Sequence, residues 1–559
     1  MADLVLGPML RHVGRTTATI WVETDTACTV EILGHAAHTW QVAGHHYAIV
    51  CIEGLERGSE TPYDVRLDGQ RVWPLPDSPH PASRIRTVDP DHPLRLVFGS
   101  CRFATSTTVG PDKRFDDDAL DAYAQRLAAQ VADEHHAPAD WPDALVMLGD
   151  QVYADEVSPA TRQFIRARRD VSQPPYEQVA DFEEYTQLYH ESWTDPNVRW
   201  LLSTVPTSMI FDDHDVRDDW NTSDVWRRKM RRTSWWEERI IGGLMSYWVY
   251  QHLGNLGPEA LAKDKLYQQV QQSADAEEIL RDFAARADRE ADGFKGAQWS
   301  YRRDFGRIRL LVIDSRCGRI LEGEHRSMVD ENEFRWIEDQ LVDEEYDHLL
   351  VGTSLPWLLP RAMHDLESWD EALAGGSRGR LLAWFGEWVR QKADFEHWAA
   401  FRESFVRLAG LLARVGGGEH GATAPATICV LSGDVHHVYV AEAHYPQPLV
   451  SRVFQLTCSP VHNHVPPAMQ AAFRIFWSDR AERVTRWLSR FARVPDPPLS
   501  WRRTVGPYFG HELATLELSG RSARLLVEKT GSRGEGGRGL TEVATLELAS
   551  DGGADRFGG

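Results

Sequence analysis

Carboxylates, a thiol and an imidazole follow four apolar runs of the chain at the point where each run ends. VMLGDQVYADE carries Asp150, and TSMIFDDHD carries Asp213 and His214. LRLVFGSCR carries Cys101, and TICVLSGDVHH carries Asp434. Because the carboxyl ends of strands in an open, mostly parallel sheet lie along one edge, we expect these side chains to converge on one site. That set of side chains favours metal ions over a purely organic mechanism.

Two neighbouring cation positions follow from these residue types. Asp150 is able to bridge two cations, because a carboxylate has two oxygens. A phenolate from Tyr153 and a thiolate from Cys101 both need a strongly Lewis-acidic metal to lose their protons near neutral pH. This donor set indicates ferric iron rather than magnesium or calcium. The second position would take oxygens from Asp150, Asp213 and Asp434, which suits calcium, manganese or another divalent ion.

The series of motifs resembles that of the PhoD-like metallophosphatases, also called alkaline phosphatase D, of the calcineurin-like metallophosphoesterase superfamily. The motifs FGSCR, GDQVYAD, DDHDVRDDWN, VIDSR and SGDVHH carry the resemblance, in that order, over roughly residues 94–460. The resemblance implies a four-layer α/β-β/α catalytic domain, an iron and calcium type of site, and hydrolysis of phosphate esters.

The resemblance also implies two sets of metal ligands. The iron ligands match Cys101, Asp150 and Tyr153, and the ligands of the second metal match Asp150, Asp213, Asp434 and His436. We expect Fe³⁺ at the first position and Ca²⁺ at the second, with Mn²⁺, Zn²⁺ or Mg²⁺ as substitutes for Ca²⁺. Asp213 stands where related enzymes carry asparagine. The usual histidine of the superfamily at the end of the middle strand is absent around Ser354, so the chain departs from the family pattern in its second ligand set.

Three residues are expected to take part in catalysis. By the resemblance, His214 contacts phosphate and protonates the leaving group, and Arg102 grips phosphate oxygens. Asp150 belongs with them because it would bridge the two cations. The expected reaction is hydrolysis by a metal-activated water.

The expected activity is that of an alkaline phosphatase-like phosphomonoesterase that also accepts diesters. A phosphodiesterase or phospholipase D-type hydrolase on the same binuclear site is the first alternative, since it differs only in the shape of its pocket. A non-catalytic metal-binding protein is the second.

Composition limits the partners and the compartment. The chain has 559 residues and a net charge of −22, which disfavours nucleic acids and anionic membranes as general partners. We expect a small phosphate-ester substrate, and the oligomeric state stays open. The chain shows no signal peptide pattern and no apolar run of the roughly 18 residues that span a bilayer. Its six cysteines are widely spaced, and these features together predict a cytoplasmic location.

Changes in pattern along the chain predict its domains. Residues 1–88 read as an N-terminal all-β sandwich of the fibronectin type III kind, because short alternating runs are separated by turns. Residues 94–548 read as the α/β catalytic domain, and 549–559 as a flexible tail. Strands are expected near 95–99, 144–149, 207–211, 308–314, 348–354 and 427–433, and helices near 115–135, 178–191, 330–344 and 380–414.

Three segments of the catalytic domain are rich in tryptophan or arginine. Two are helical insertions near 220–299 and 365–425, whose Trp and Arg residues are expected to pack against the core rather than form a substrate-selecting wall. The third, 467–493, is expected to be one basic amphipathic helix. Packing of its apolar face on the protein is favoured over peripheral contact with a membrane. That face carries Phe473, Trp477, Val484, Trp487 and Phe491.

Overall fold

The computed structural model describes residues 2–90, 92–105, 117–132, 141–289, 297–321, 326–342, 345–418, 423–531 and 539–550. From residue 551 onward, the predicted flexible tail lies outside these residues.

The first ten strands form an all-β unit. They are β1 (Leu4–Val13), β2 (Ala18–Thr24), β3 (Thr29–Ile32), β4 (His35–His38), β5 (Trp40–Val42), β6 (His45–Ile52), β7 (Glu60–Pro62), β8 (Val65–Leu67), β9 (Gln70–Trp73) and β10 (Arg84–Arg86). Two antiparallel sheets of order β1-β2-β6-β5 and β4-β3-β8-β9 enclose a shared core, in which Ile20 and Val50 of one sheet meet Val30 and Val65 of the other. The alternating pattern therefore predicts this all-β region correctly.

The remaining strands build two larger sheets. They are β11 (Leu94–Gly99), β12 (Ala144–Leu148), β13 (Thr207–Ile210), β14 (Tyr301–Phe305), β15 (Ile308–Ile313), β16 (His348–Thr353), β17 (Thr427–Ser432), β18 (Val438–His444), β19 (Arg452–Thr457), β20 (Ser500–Tyr508), β21 (Glu512–Ser519), β22 (Ser522–Thr530) and β23 (Leu540–Ala549). One sheet has the order β13-β12-β11-β21-β22-β23, and the other β14-β15-β16-β17-β19-β18-β20. Strands are present at each of the six predicted positions.

Helices surround the two large sheets. They are α1 (Ala119–Ala132), α2 (Pro159–Arg168), α3 (Phe182–Trp193), α4 (Pro196–Thr204), α5 (Asp224–Met230), α6 (Trp236–Ser246), α7 (Leu253–Asn255), α8 (Pro258–Lys263), α9 (Lys265–Gln272), α10 (Glu277–Asp288), α11 (Glu331–Val342), α12 (Arg361–Ala374), α13 (Arg380–Arg390), α14 (Arg402–Gly417), α15 (Pro467–Phe476) and α16 (Asp479–Phe491). A π-helical segment covers Tyr247–His252, and a 3₁₀ turn covers Trp398–Ala400. The helix predicted over 380–414 is divided between α13 and α14.

The burial pattern of β15 shows how the layers stack. Leu310 and Val312 point into a core that also holds residues of β11, β12 and β13, so the two sheets pack face to face. Leu311 and Ile313 point the other way, into a core formed with α11 and α14. Successive side chains of a strand face opposite sides of its sheet, and both sides of β15 are therefore covered. The predicted four-layer α/β-β/α class is confirmed.

One detail of the predicted architecture is wrong. The strand ends that carry the motifs do not share one sheet edge, because β11, β12 and β13 belong to the six-stranded sheet and β17 to the seven-stranded sheet. The motif segments still approach one another, because the two sheets are stacked and present these ends on the same side.

The Trp-rich segments differ in how far their side chains are buried. In the insertion near 220–299, the Trp side chains are largely buried, as the packing interpretation predicts: Trp220, Trp226, Trp236, Trp248 and Trp299. In the second insertion, Trp398 is buried as predicted, but Trp384 and Trp388 of α13 are exposed, so the packing interpretation is wrong for these two. The segment 467–493 is not one helix, because α15 ends at Phe476 and α16 begins after Ser478, which caps it.

A buried carboxylate ties the N-terminal sheets to the helices of the α/β region. Glu23 on β2 accepts hydrogen bonds from His45 (3.1 Å), His190 of α3 (3.0 Å) and the Tyr250 hydroxyl (3.1 Å). His45 also contacts Glu183 at 2.8 Å. Burial alone would lower the pKa of His45, but its hydrogen bonds to the Glu183 and Glu23 carboxylates outweigh burial and raise it to about 9. His45 therefore carries a positive charge at neutral pH.

This junction predicts how stability depends on alkaline pH. The pKa of His45 is higher in the folded chain than the value near 6.5 of an unfolded one, so its stabilisation is complete below pH 6.5. It is lost as the pH rises through about 9. We expect the free energy of unfolding to fall by about 1–2 kcal/mol over that window, allowing for partial exposure of the imidazole. Chemical denaturation at several pH values measures this fall, and His45→Gln should remove most of it. An equal fall in that variant would assign the pH dependence to other groups.

Candidate active site

Loops that follow strands of both large sheets meet at one place in the fold. The amide of Cys101 donates to the carbonyl oxygen of Gly149 at 3.2 Å, and the amide of Asp434 donates to Ser100 Oγ at 3.3 Å. Glycine permits this approach, because a Cβ atom at Gly433 would overlap Ser100 Oγ. The structure thus brings the four motif segments together.

A buried carboxylate fixes two of these loops. Asp215 Oδ2 accepts hydrogen bonds from the backbone amides of Asp150 (3.0 Å) and Asp212 (2.9 Å). Its Oδ1 accepts one from Gln251 Nε2 at 3.1 Å, and Gln251 lies in the π-helical segment of the first insertion. Such π-helical turns are frequent at functional sites. The first insertion therefore helps to hold the loops that carry Asp150 and Asp212.

Four predicted ligands have left-handed backbone conformations. The φ angles of Cys101, Asp150, Asp434 and His436 are +56°, +51°, +67° and +49°. Non-glycine residues rarely adopt positive φ, and such residues cluster at active sites where the surrounding structure enforces them. The conformation turns each side chain out of its strand direction at the strand end.

Two of the predicted iron ligands, Asp150 and Tyr153, lie close to each other. Tyr153 Oη is 3.5 Å from Asp150 Oδ2 and accepts a hydrogen bond from Asn463 Nδ2 at 2.9 Å. Burial raises the pKa of the Cys101 thiol to about 12, and burial with the negative charge of Asp150 raises the pKa of the Tyr153 phenol well above its usual value. Without a cation both groups keep their protons, so this donor set fits a strongly Lewis-acidic metal.

Buried carboxylates form two groups that share Asp213. In each group, one oxygen of every member lies within 4.8 Å of the others. The first contains Asp150, Asp212 and Asp213, and the second contains Asp213, Glu396 and Asp434. The three acids predicted for the second cation are therefore linked through Asp213. Asp212 and Glu396 are additional members that the sequence analysis misses, although Asp212 stands in the DDHD motif.

The oxygens of these carboxylates fit bound cations. Asp150 Oδ1 and Asp212 Oδ2 are buried and have no hydrogen-bond partner among the residues that the structure describes. Burial raises the pKa of both groups well above the usual value, and neighbouring negative charges add to the rise. An unpaired buried carboxylate is costly, and a cation between these oxygens would remove that cost.

Arg316, from the VIDSR motif, brings an internal positive charge to the same carboxylates. Its fully buried guanidinium contacts Asp212 and Glu396, lies 3.2 Å from Asp213 Oδ1 and lies 3.8 Å from Asp434 Oδ1. Burial would lower the pKa of Arg316, but Asp212 and Asp213 outweigh it and raise the pKa further. One guanidinium neutralises only part of the charge of this acidic cluster.

His214 is held by a carboxylate that the sequence analysis misses. Its Nδ1 lies 2.9 Å from Asp155 Oδ1, its Nε2 lies 3.8 Å from Asp218 Oδ1, and its ring lies 4.8 Å from that of Tyr153. Burial alone would lower the pKa of His214, but Asp155 and Asp213 outweigh burial and raise it well above its usual value. The imidazole is therefore held in its protonated form, which suits a proton donor.

The two other predicted site residues are Arg102 and His436. The Arg102 guanidinium is bound by Asp118 Oδ2 (2.8 Å) and by the carbonyl oxygen of Ser192 (2.7 Å), so it braces two segments, and its contact with phosphate stays a prediction. His436 is half-buried, and burial lowers its pKa to about 4. It is therefore neutral, the form that binds metals, but it belongs to no acidic group found among the described residues.

The second insertion supplies a histidine that no strand-end motif reveals. His397 Nε2 lies 2.8 Å from Asp434 Oδ2, and its Nδ1 lies 2.7 Å from Glu367 Oε1 on α12. Burial would lower the pKa of His397, but Glu367 and Asp434 outweigh burial and raise it well above its usual value. His397 thus binds one carboxylate oxygen of Asp434, and Arg316 approaches the other.

A cavity of about 450 Å³ is lined by residues that include Asp218 and Asp219 of the loop after the DDHD motif. None of the predicted site residues lines it, but the amide of Asp219 donates to Asp213 Oδ2 at 3.0 Å, so the cavity adjoins the acidic groups. Acidic, aromatic and basic side chains line it, among them Asp218, Asp219, Trp384, Trp388, Lys229 and Lys392. Aromatic walls and ammonium groups suit an anion with an organic substituent. A larger cavity of about 640 Å³ lies near Leu94, at the opposite end of β11, and none of the predicted site residues lines it.

Comparisons with known proteins agree with the character of this site. A sequence model of the family described as PhoD-like phosphatase matches residues 128–486, which is more than half of the chain. A second model, for a domain of unknown function called DUF7800, matches residues 1–85. No curated protein matches the chain.

Two solved structures are similar to the chain to different extents, and the first of them shares its fold. A structure of PhoD superposes with a TM-score of 0.58 and 11% identity, covering 98% of this chain and 92% of that one. A purple acid phosphatase, PPD1 from yellow lupin (Lupinus luteus) seeds, superposes with a TM-score of 0.46 and 12% identity, covering 97% of this chain and 73% of that one.

Proposed function

Because the chain belongs to the PhoD-like phosphatase family, we propose that it hydrolyses phosphate monoesters and accepts diesters as a second class of substrate. It is a phosphoester hydrolase, and its reaction depends on metal. The observation that carries the proposal is the cluster of buried carboxylates with unpaired oxygens at the strand ends. Family membership also favours an enzyme over the alternative of a non-catalytic metal-binding protein.

We assign two cations to this cluster. Fe³⁺ takes Cys101, Asp150 and Tyr153, because thiolate and phenolate favour a ferric ion. Ca²⁺, or Mn²⁺, Zn²⁺ or Mg²⁺ in its place, takes Asp150, Asp213, Asp434 and His436. When bound, such cations supply positive charge to the phosphate oxygens and lower the pKa of a water molecule.

Residues of the chain complete the reaction. Asp155 holds His214 through Nδ1, which leaves Nε2 as the donor toward the departing oxygen. Arg102 is assigned to the phosphoryl group as predicted, and reaching it requires release of the contact with Asp118. Arg316 and His397 keep Asp213 and Asp434 in place, so they act as positioning residues.

The cavity beside the acidic groups gives some support to the first alternative, a phosphodiesterase or phospholipase D-type activity. Its volume of about 450 Å³ has room for an organic group on the far side of the phosphate, and Trp384 and Trp388 offer that group aromatic faces. A diesterase or phospholipase D-type reaction would use this space for the second ester substituent. We propose the monoester reaction ahead of the diester reaction because the chain belongs to a family of phosphatases.

A paired assay tests the proposed function. Mono-aryl and bis-aryl phosphates are incubated with protein loaded with iron and calcium, and then with chelator. Hydrolysis of the monoester that chelator abolishes supports the proposal. Hydrolysis of the diester alone would promote the diesterase, and no hydrolysis of either ester would defeat both.

The assignment of Tyr153 as an iron ligand predicts that the purified protein is coloured. If the Tyr153 phenolate binds ferric iron, the purified protein absorbs visible light by phenolate-to-iron charge transfer. Tyr153→Phe removes the phenol and should abolish or strongly shift this band, while Phe103, whose ring lies 5.3 Å away, preserves the local packing. An absorption spectrum of iron-loaded protein checks this. An unchanged band in the variant, or a colourless, fully active preparation without iron, would contradict the assignment.

A further inference from the structure

Most of the large apolar side chains that the structure shows exposed lie on three helices. On α13, Leu381 is 88% and Trp384 73% exposed, and on α16, Val484 is 60% and Trp487 66% exposed. The complete set on these helices is Leu381, Leu382, Trp384, Phe385, Trp388, Met469, Ile475, Val484, Trp487 and Phe491. We call this set the apolar face. An exposed apolar surface of this kind marks an interaction site.

The two main helices of the apolar face are neighbours. Both α13 and α16 pack on α12. Arg378, just before α13, donates to the carbonyl oxygen of Phe491 at the end of α16, and its guanidinium lies 4.7 Å from the Phe491 ring. The helix α16 buries small polar residues instead, Thr485 and Ser489, against the protein. The prediction that the apolar face of 467–493 packs inward is therefore wrong for Val484, Trp487 and Phe491, whereas Phe473 is buried and Trp477 packs against the core as predicted.

The segments that carry the apolar face are rich in positive charge. Residues 378–392 and 467–493 contain ten arginine or lysine residues and three carboxylates, in a chain whose net charge is −22. The exposed cations are Arg380, Lys392, Arg474, Arg480, Arg483, Arg490 and Arg493. The net charge of these two segments is therefore opposite in sign to that of the whole chain.

We propose that the apolar face binds the surface of an anionic lipid bilayer. Trp, Phe and Leu side chains enter the boundary between headgroups and acyl chains, and the surrounding arginines contact the anionic headgroups. A second copy of the chain fits this face less well, because a twofold contact would set its arginines against the same arginines. Among the described residues, no helix has the length and apolar character needed to cross a membrane, so the binding is peripheral.

Bilayer binding would also orient the candidate active site. Trp384 and Trp388 belong to the apolar face and at the same time line the cavity beside the acidic groups. Contact through α13 would set the mouth of that cavity against the lipid surface. The proposed bilayer binding concerns only the apolar face and does not depend on the phosphoesterase reaction.

Sedimentation with vesicles tests the proposal on the full chain. The probes are phosphatidylcholine vesicles with and without phosphatidylglycerol. We expect binding to the anionic vesicles, weaker binding to neutral ones, and weakening by salt because screening reduces the headgroup attraction. The double variant Leu381→Glu/Trp487→Glu should bind about tenfold or more weakly, since it removes two inserted side chains and adds two negative charges.

Two controls separate binding from folding and from self-association. Val450→Glu changes an apolar side chain that is 69% exposed and lies outside the apolar face, and it should bind vesicles like the unchanged protein. Thermal unfolding and hydrolysis of a water-soluble aryl phosphate should be the same for all variants. Absence of binding to anionic vesicles, or an equal loss in Val450→Glu, would overturn the proposal. A dimer that the double variant dissociates would assign the face to a second copy and overturn it too.

Discussion

Replacement of Asp150 by asparagine is expected to lower turnover of an aryl phosphate by about 10³-fold or more and to remove bound metal. Asp150 Oδ1 is buried without a hydrogen-bond partner among the described residues, and its Oδ2 lies 3.5 Å from Tyr153 Oη. Asparagine has the same size but lacks the negative charge that two cations would share. The backbone amide of residue 150 would still donate to Asp215, so the loop is retained. Steady-state kinetics and elemental analysis of the purified variant measure both effects.

An aspartate outside the site provides the matched control. Asp170 lies in an exposed turn and contacts only its neighbour Ser172 in the described structure, so Asp170→Asn should change neither turnover nor metal content. Retention of activity and of both metals by Asp150→Asn would show that the cations, if bound, lie elsewhere.

His214→Ala is expected to lower turnover by about 10²–10⁴-fold on alkyl phosphates, whose leaving groups need a proton. The loss should be smaller on an aryl phosphate, because a phenolate with a low pKa departs without protonation. The structural basis is the pairing with Asp155, which raises the pKa of His214 and fixes its ring. The ratio of the two losses is the informative quantity.

The measurement is kcat on both substrates for the variant and for His38→Ala, a histidine on β4 of the N-terminal unit. The control should match the unchanged protein on both. Equal losses on alkyl and aryl phosphates in His214→Ala would remove the proton-donor role and leave His214 as a phosphate-binding residue.

The sequence predicts the site to the extent that its residues follow strands. Cys101, Asp150, Asp213 and Asp434 each follow an apolar run, and each lies two or three residues beyond the end of a strand. Short strands that are buried on both faces give continuous apolar runs, so the first polar residue after each run is easy to recognise. The sequence does not show that these strands are divided between two sheets, because strands that pair with each other are distant in sequence.

Residues that reach the site from other elements are not predicted. His397 comes from the segment before a 3₁₀ turn in the second insertion, and nothing in DFEHWAA distinguishes it from a packing residue. Arg316 stands in a motif, but its contacts with three carboxylates depend on the stacking of the sheets. The orientation of α16 is also invisible in sequence, because hydrophobic periodicity identifies an apolar stripe and does not say what covers it.

Metal removal and reloading test the central claim most directly. The protein is stripped with chelator, its iron and calcium contents are measured, and hydrolysis of an aryl phosphomonoester is followed as each metal is returned. We predict that the stripped protein is inactive and that activity rises in proportion to the metal bound, in the unchanged protein but not in Asp150→Asn. Full activity of metal-free protein, or none in protein that has bound both metals, would contradict the account.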